Sequence, residues 1–158
     1  MKRDPALITL SREHLPALIL AYRLRHGRSS NPAHPWPTDP IAQRSQALVF
    51  IHGDLARHFA AEEAVLLPLK DQLLDPGPSE QVWAEHQQFW QQVHQIEGAP
   101  PEALPPLLKA LGELLDAHVR FEERIWFEQL QRELPPEQLC SVMTKLEQHL
   151  PPGSCSSL

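Results

Sequence analysis

The chain has 158 residues and a net charge of −6, enough for one domain around a single core and without the basic footprint of a nucleic-acid-binding protein. Its two cysteines, Cys140 and Cys155, lack zinc-ligand spacing and read as reduced thiols. The opening Met1-Lys2-Arg3-Asp4-Pro5 leads into no signal-like apolar run, and no stretch approaches the ~18 apolar residues of a membrane span, so a cytoplasmic protein with no membrane contact is expected.

The first helical stripe is Leu7, Leu10, His14, Leu18, Ala21 and Leu24 or Arg25, with Thr9 or Ser11 available as its N-cap. A start near Ser11 puts Pro16 at the end of the first turn, whereas a start near Asp4 predicts a kink there. Residues 27–39 are loop by composition. His34 stands between prolines there, and Trp36 is available to fold the loop back over the helices. Asp39-Pro40 opens a long second helix as N-cap and first residue, running to about Leu74 with a bend at Pro68. Its apolar positions are Leu48, Ile51, Leu55, Phe59, Val65, Leu66 and Leu69, while His52 falls to the side.

Asp75-Pro76-Gly77-Pro78 marks a turn, and Ser79 is the expected cap of a third helix ending near Gly98. Its inward positions read Val82, Trp83, His86, Phe89, Trp90, Val93 and Ile96, with His94 at the periphery. Pro100-Pro101 and Pro105-Pro106 lead into a fourth helix reaching about Glu133, with Leu107, Leu111, Leu114, Leu115, Phe121 and Ile125 inward. A shorter fifth helix after Leu134 carries Leu139, Val142, Met143, Leu146 and Leu150 on one face, with Met143 as filler. Residues 151–158 read as a disordered tail. No strand pattern of useful length occurs. The expected fold is all-α: an antiparallel up-and-down four-helix bundle over residues 1–150, including an additional short C-terminal helix.

Two short stretches organise this pattern. His58-Phe59-Ala60-Ala61-Glu62-Glu63 and His118-Val119-Arg120-Phe121-Glu122-Glu123 both read H-x-x-x-E-E. Residues four apart share one helix face, about 6 Å apart along the axis. Both His/Glu pairs lie within apolar stripes, where a carboxylate is costly unless paired, protonated or bound to metal. His14 and His86 each interrupt the stripe of another helix. Four imidazoles and two carboxylates from four helices suit iron, manganese or zinc better than magnesium or calcium. The carboxylates are suited to bridge two metals, with the histidines as terminal ligands.

The ordered series His14, His58-x-x-x-Glu62, His86, His118-x-x-x-Glu122 resembles the hemerythrin-like family, the HHE cation-binding domains. Ser11-Arg12-Glu13-His14 and the Leu66-Leu67-Pro68 that follows the first H-x-x-x-E-E fit as well. The resemblance spans roughly residues 8–130. It implies a non-haem di-iron centre with an oxo or hydroxo bridge and a diatomic ligand, dioxygen or nitric oxide, that is bound or sensed. It also implies that His14 and His58 serve one iron, His86 and His118 the other, and that Glu62 and Glu122 bridge. Manganese or zinc are possible substitutes.

Two departures stand out. Oxygen-carrying hemerythrins have a second histidine one turn after that of the third helix, where this chain has Trp90. They also use a longer His-to-Asp spacing on the fourth helix. One histidine fewer shifts the expectation from reversible oxygen carriage toward sensing, iron handling or redox stress. Relatives that repair iron–sulfur clusters carry a cysteine-bearing N-terminal segment that is not found in these 158 residues.

Other classes fit less well. Ferritin-like ferroxidases have Glu-x-x-His, in the reverse order and spacing, and no H-E-x-x-H zinc-hydrolase motif occurs. The alternatives kept are a metal-free helical interaction module, in which the His/Glu pairs form a buried hydrogen-bonded network, and a di-iron oxidase or peroxidase. No catalytic residue is assigned. A protein partner or homodimer is not indicated.

Overall fold

The computed structural model describes residues 2–150; the expected tail at 151–158, with Cys155, lies outside them. All regular structure among the described residues is helical. A 3-10 turn, Pro5–Leu7, feeds directly into α1 (Ile8–His26). Asp4 caps that turn, its carboxylate accepting the Ala6 N–H at 2.9 Å; α1 itself follows Leu7, not Thr9 or Ser11 as expected, and has no side-chain cap. Pro16 therefore falls well inside α1, where it withholds one backbone N–H. Gly27, at φ 64°, closes the helix in the left-handed conformation that glycine adopts without strain.

The second rod consists of α2 (Pro40–Phe50), a π-helical turn (Ile51–Leu55) and α3 (Ala56–Val65). It ends in a 3-10 turn, Leu67–Gln72, around the expected bend at Pro68. Asp39 caps α2 through the Ala42 N–H at 2.9 Å. Next comes α4 (Gly77–Gly98). Ser79 is not its cap: it lies buried in the first turn and accepts the Trp126 indole N–H at 2.8 Å, while the Asp75 carboxylate accepts the Gly77 N–H. The fourth rod runs through α5 (Leu104–Phe121), a second π turn (Glu122–Trp126) and α6 (Phe127–Glu133). Finally, α7 (Pro136–His149) buries Leu139, Val142 and Leu146 against α3 and the N-terminal turn.

The apolar side chains form two clusters. One holds Leu20, Leu24, Phe50, Leu55, Phe59, Phe89, Ile96, Leu108 and Leu115 among others. The second holds Leu7, Leu10, Val65, Val82, Trp126, Phe127 and the buried face of α7. On each of the four long rods the polar residues of the stripe fall where the chain passes from one cluster to the other. His14 lies between Leu10 and Ala17, His86 between Val82 and Phe89, and the two His/Glu pairs are placed likewise. Apolar packing therefore seals a thin polar layer from two sides.

Some positions read as inward are not. Trp83 is 48% exposed and Ile125 equally so, and Trp90 is half-buried. Trp83 and Ile125 miss the buried arc because it is set by neighbouring rods, and the π turn that contains Ile125 shifts the local register. Trp36 does fold the 27–39 loop back. It is buried 5.4 Å from the Arg23 guanidinium, which also donates to the His34 carbonyl at 3.3 Å.

Two rods, α1 and α5, approach each other closely at Gly112 on α5. A Cβ there would stand 2.8 Å from the Ala21 carbonyl oxygen and 2.8 Å from Leu24 Cβ on α1. This contact draws together the helices that carry His14 and His118. Alanine would gain about 1 kcal/mol in helix propensity, but backbone on the far side leaves no room for the methyl. Gly112→Ala is expected to destabilise the fold by a net ~1–3 kcal/mol, the usual overpacking cost. Urea denaturation checks this, and an unchanged or higher midpoint would contradict the close approach.

Candidate metal centre

The six polar residues of the stripes converge. His14, His58, Glu62 and Glu122 form one group whose candidate ligand atoms all lie within 4.8 Å of one another; Glu62, His86, His118 and Glu122 form a second. The two groups share both carboxylates. All six residues are at most 3% exposed. Each carboxylate spans the groups with its two oxygens. Glu62 sets Oε1 3.3 Å from His58 Nε2 and Oε2 3.4 Å from His86 Nε2. Glu122 sets Oε2 3.1 Å from His14 Nε2 and Oε1 2.9 Å from His118 Nε2.

These short separations leave the inner atoms poorly satisfied. Both oxygens of Glu62, both of Glu122, and Nε2 of His86 and His118 are buried without a hydrogen-bond partner. His14 Nε2 and His58 Nε2 face each other at 3.1 Å. Buried polar atoms left in this state are costly. Separations near 3 Å are also those between neighbouring ligands on a shared cation with bonds of about 2.1 Å. The donor set, imidazole nitrogens with carboxylate oxygens, fits a first-row transition metal.

The outer nitrogens are all satisfied, in a closed ring. His58 Nδ1 pairs with Glu13 of α1 at 2.9 Å, and His86 Nδ1 with Glu63 of α3 at 2.9 Å. His118 Nδ1 pairs with Glu85 of α4 at 2.7 Å, and His14 Nδ1 with Glu123 of the second π turn at 2.6 Å. Each rod thus supplies one histidine to the centre and one glutamate to the next rod's histidine. A carboxylate accepting from Nδ1–H fixes the tautomer and turns the Nε2 lone pair inward.

Sequence reasoning did not assign these four glutamates a role. The available signal was that each adjoins an inner residue: Glu13-His14, Glu62-Glu63, Glu85-His86 and Glu122-Glu123. A neighbour in sequence points about 100° away on its own helix, so only the packing of rods reveals that it reaches the next imidazole.

Charge within the layer is strongly coupled. Burial would lower the His58 and His118 pKa values, but their glutamate partners outweigh it and push both up to about 10; His14 also rises. Burial and mutual repulsion would raise the Glu62 carboxyl, yet His58 and His86 hold it below its usual value; the His118 and His14 contacts hold Glu122 well below. Glu123 falls to about 2, its burial outweighed by hydrogen bonds from His14 and Arg3. Positive charge on the facing imidazoles thus favours the anionic form of both carboxylates.

Aromatic rings wall the layer. Phe59 stacks on His86 at 3.9 Å and lies edge-on to His118 at 5.3 Å, and Phe127 stacks on His14 at 5.5 Å. Trp90 stands apart from both groups, between Phe59 and His52. His52 is bonded at the surface to Glu97 at 2.6 Å, His94 is exposed, and His34 remains in its loop. A half-open pocket of about 280 Å³, walled by Trp83, Leu67, Pro68 and Lys70, lies outside Glu63. No described helix is long and apolar enough to cross a membrane.

Comparison with known proteins agrees with this geometry. No curated protein and no solved structure gives a significant match. The sequence model of the hemerythrin HHE cation-binding domain matches residues 7–130, the span that holds all six inner residues and the four outer glutamates. The chain belongs to the hemerythrin HHE cation-binding domain family.

Proposed function

We propose that the protein holds two iron ions in its buried layer and uses the pair to bind or sense dioxygen or nitric oxide, or to handle iron under redox stress. The observation that carries this is the set of inner oxygens and nitrogens, buried, unsatisfied and 2.9–3.4 Å apart. His14 and His58 hold one ion, His86 and His118 the other, and Glu62 and Glu122 span both. Manganese or zinc would suit the same donors. The chain functions in the cytoplasm, and its ligand is a small diatomic molecule.

The same reading includes the architecture. We take residues 1–150 as one hemerythrin-like unit, an antiparallel up-and-down four-helix bundle closed by α7. Alternation supports it: α1 and α4 run from the second apolar cluster to the first, and α3 and α5 run the other way.

The chain's own residues have separable tasks. Glu13, Glu63, Glu85 and Glu123 keep the proton on each Nδ1, so that Nε2 is free to donate a lone pair. Glu62 and Glu122 offset the charge of two divalent ions. Phe59, Phe127 and Trp126 keep water from the layer. An iron pair held by these residues would supply a reversible one-electron change at each ion and a place for a small ligand to bind. With Trp90 away from the centre, no further protein ligand from the third rod fills that place. The second reading is a metal-free network, in which protonated imidazoles would face Glu62 and Glu122 as ion pairs at 2.9–3.4 Å; metal analysis separates the two.

Metal analysis of protein expressed with iron should find two ions per chain, one for each group. Glu62→Ala and Glu122→Ala should abolish two-metal binding while His34→Ala retains it. Equal loading of all three variants would refute the site. Glu85→Ala, which removes an outer partner and no inner atom, should weaken metal binding by about 10–100-fold. Chelator competition measures this; wild-type affinity would mean that the outer glutamates do not orient the imidazoles.

A further inference from the structure

The outer glutamate Glu123 is braced by an arginine. Its Oε1 accepts from His14 Nδ1 at 2.6 Å, and its Oε2 accepts from Arg3 Nη2 at 2.6 Å. The same Arg3 nitrogen donates to the Glu123 backbone carbonyl at 2.8 Å, so the guanidinium holds both the residue and its side chain. The corresponding brace on Glu85 is a neutral one, a hydrogen bond from Gln81 at 2.8 Å.

Arg3 also reaches His14 by a second route. Its guanidinium lies 5.4 Å over the ring of Phe127, and Phe127 stacks on His14. The N-terminal segment is pinned where this requires. Arg3 Nη1 donates to Glu128 at 3.3 Å and to Gln131 at 3.2 Å. Gln131 in turn accepts the Asp4 N–H at 3.1 Å and donates to the Lys2 carbonyl at 3.3 Å. The arginine side chain is only 17% exposed. Residues 2–4 are therefore clipped along the second π turn and α6, and the ring and the carboxylate that orient His14 both lean on one side chain from this clip.

We propose that Arg3 is a positioning residue for the His14 end of the centre, and that docking of the segment Lys2–Asp4 controls occupancy of the metal position held by His14 and His58. The position held by His86 and His118 is braced by Glu63 and Glu85, neither of which is bonded to Arg3. The two positions are thus inequivalent: one is built entirely from the rods, whereas the other is completed by the N-terminal segment. This deepens the proposed two-metal reading and rests on it.

The test uses the full chain and iron(II) alone, loaded without oxygen, with metal content and Mössbauer spectra as readouts. Wild type should fill both positions. Arg3→Ala should keep one position unchanged and weaken the other about tenfold, the lower end of the effect of outer-shell partners. Arg3→Lys keeps the charge but loses the planar fork, and should recover part of the loss. Lys70→Ala, a cation elsewhere on the surface, should match wild type. A chain in which Arg3→Ala fills both positions with wild-type affinity overturns the clip. So does equal weakening of both positions, which marks a merely structural role. If wild type itself takes up no second ion, the two-metal reading falls and the clip with it.

A second readout needs no metal. In the metal-free protein the hydrogen-bonded Nδ1–H proton of His14 should exchange faster in Arg3→Ala, while those of His86 and His118 keep their wild-type rates. Unchanged exchange at His14 would also overturn the proposal.

Discussion

Two carboxylates with no solvent exposure, Glu62 and Glu122, govern the interior of this protein. An isolated ionised carboxylate is among the most expensive groups to enclose, and here two sit in the same layer. Their presence explains why four imidazoles face them and why those imidazoles are backed by four further carboxylates. It explains, too, why apolar clusters close the layer on either side. In so dry a setting the charges act at close range with little screening, and partial solutions are worse than none. The centre must be complete to be tolerable.

Much of this could be read from the chain. His58 with Glu62, and His118 with Glu122, fall one turn apart on faces otherwise filled by leucine and phenylalanine, so periodicity alone identified them as inward. His14 and His86 were visible as interruptions of the same kind. The loop closure by Trp36, the bend near Pro68 and the apolar face of α7 followed from composition and spacing. Element boundaries were legible where a cap acts locally, as at Asp39-Pro40, but not at Asp4, where a short 3-10 turn carries the chain into α1.

What stayed hidden was whatever depends on a second rod. Glu13, Glu63, Glu85 and Glu123 look like solvated acids in one-dimensional patterns, and only the packing of helices side by side joins each to an imidazole. Trp83 and Ile125 have inward spacing but stay about half exposed, because the neighbouring rods cover a narrower arc than a full stripe. The two π turns, Ile51–Leu55 and Glu122–Trp126, leave no composition signature. The first puts wide helical winding just ahead of one H-x-x-x-E-E stretch and the second takes in the two glutamates of the other, a feature common near functional sites.

The ring of glutamates also has a direction along the chain. Three of its four bonds join rods that follow one another in sequence, across separations of 45, 23 and 33 residues, while the bond from Glu123 to His14 spans 109. Local closures cost less chain entropy than long ones. An assembling chain can therefore tie His58, His86 and His118 through successive neighbours, but His14 is secured only when the last long rod returns to the first. Until that return the layer is open along one seam, with Glu122 short of a neighbouring charge. Sealing the interior and joining the two ends of the domain are thus one event, and a chain that has finished its centre has also finished its fold.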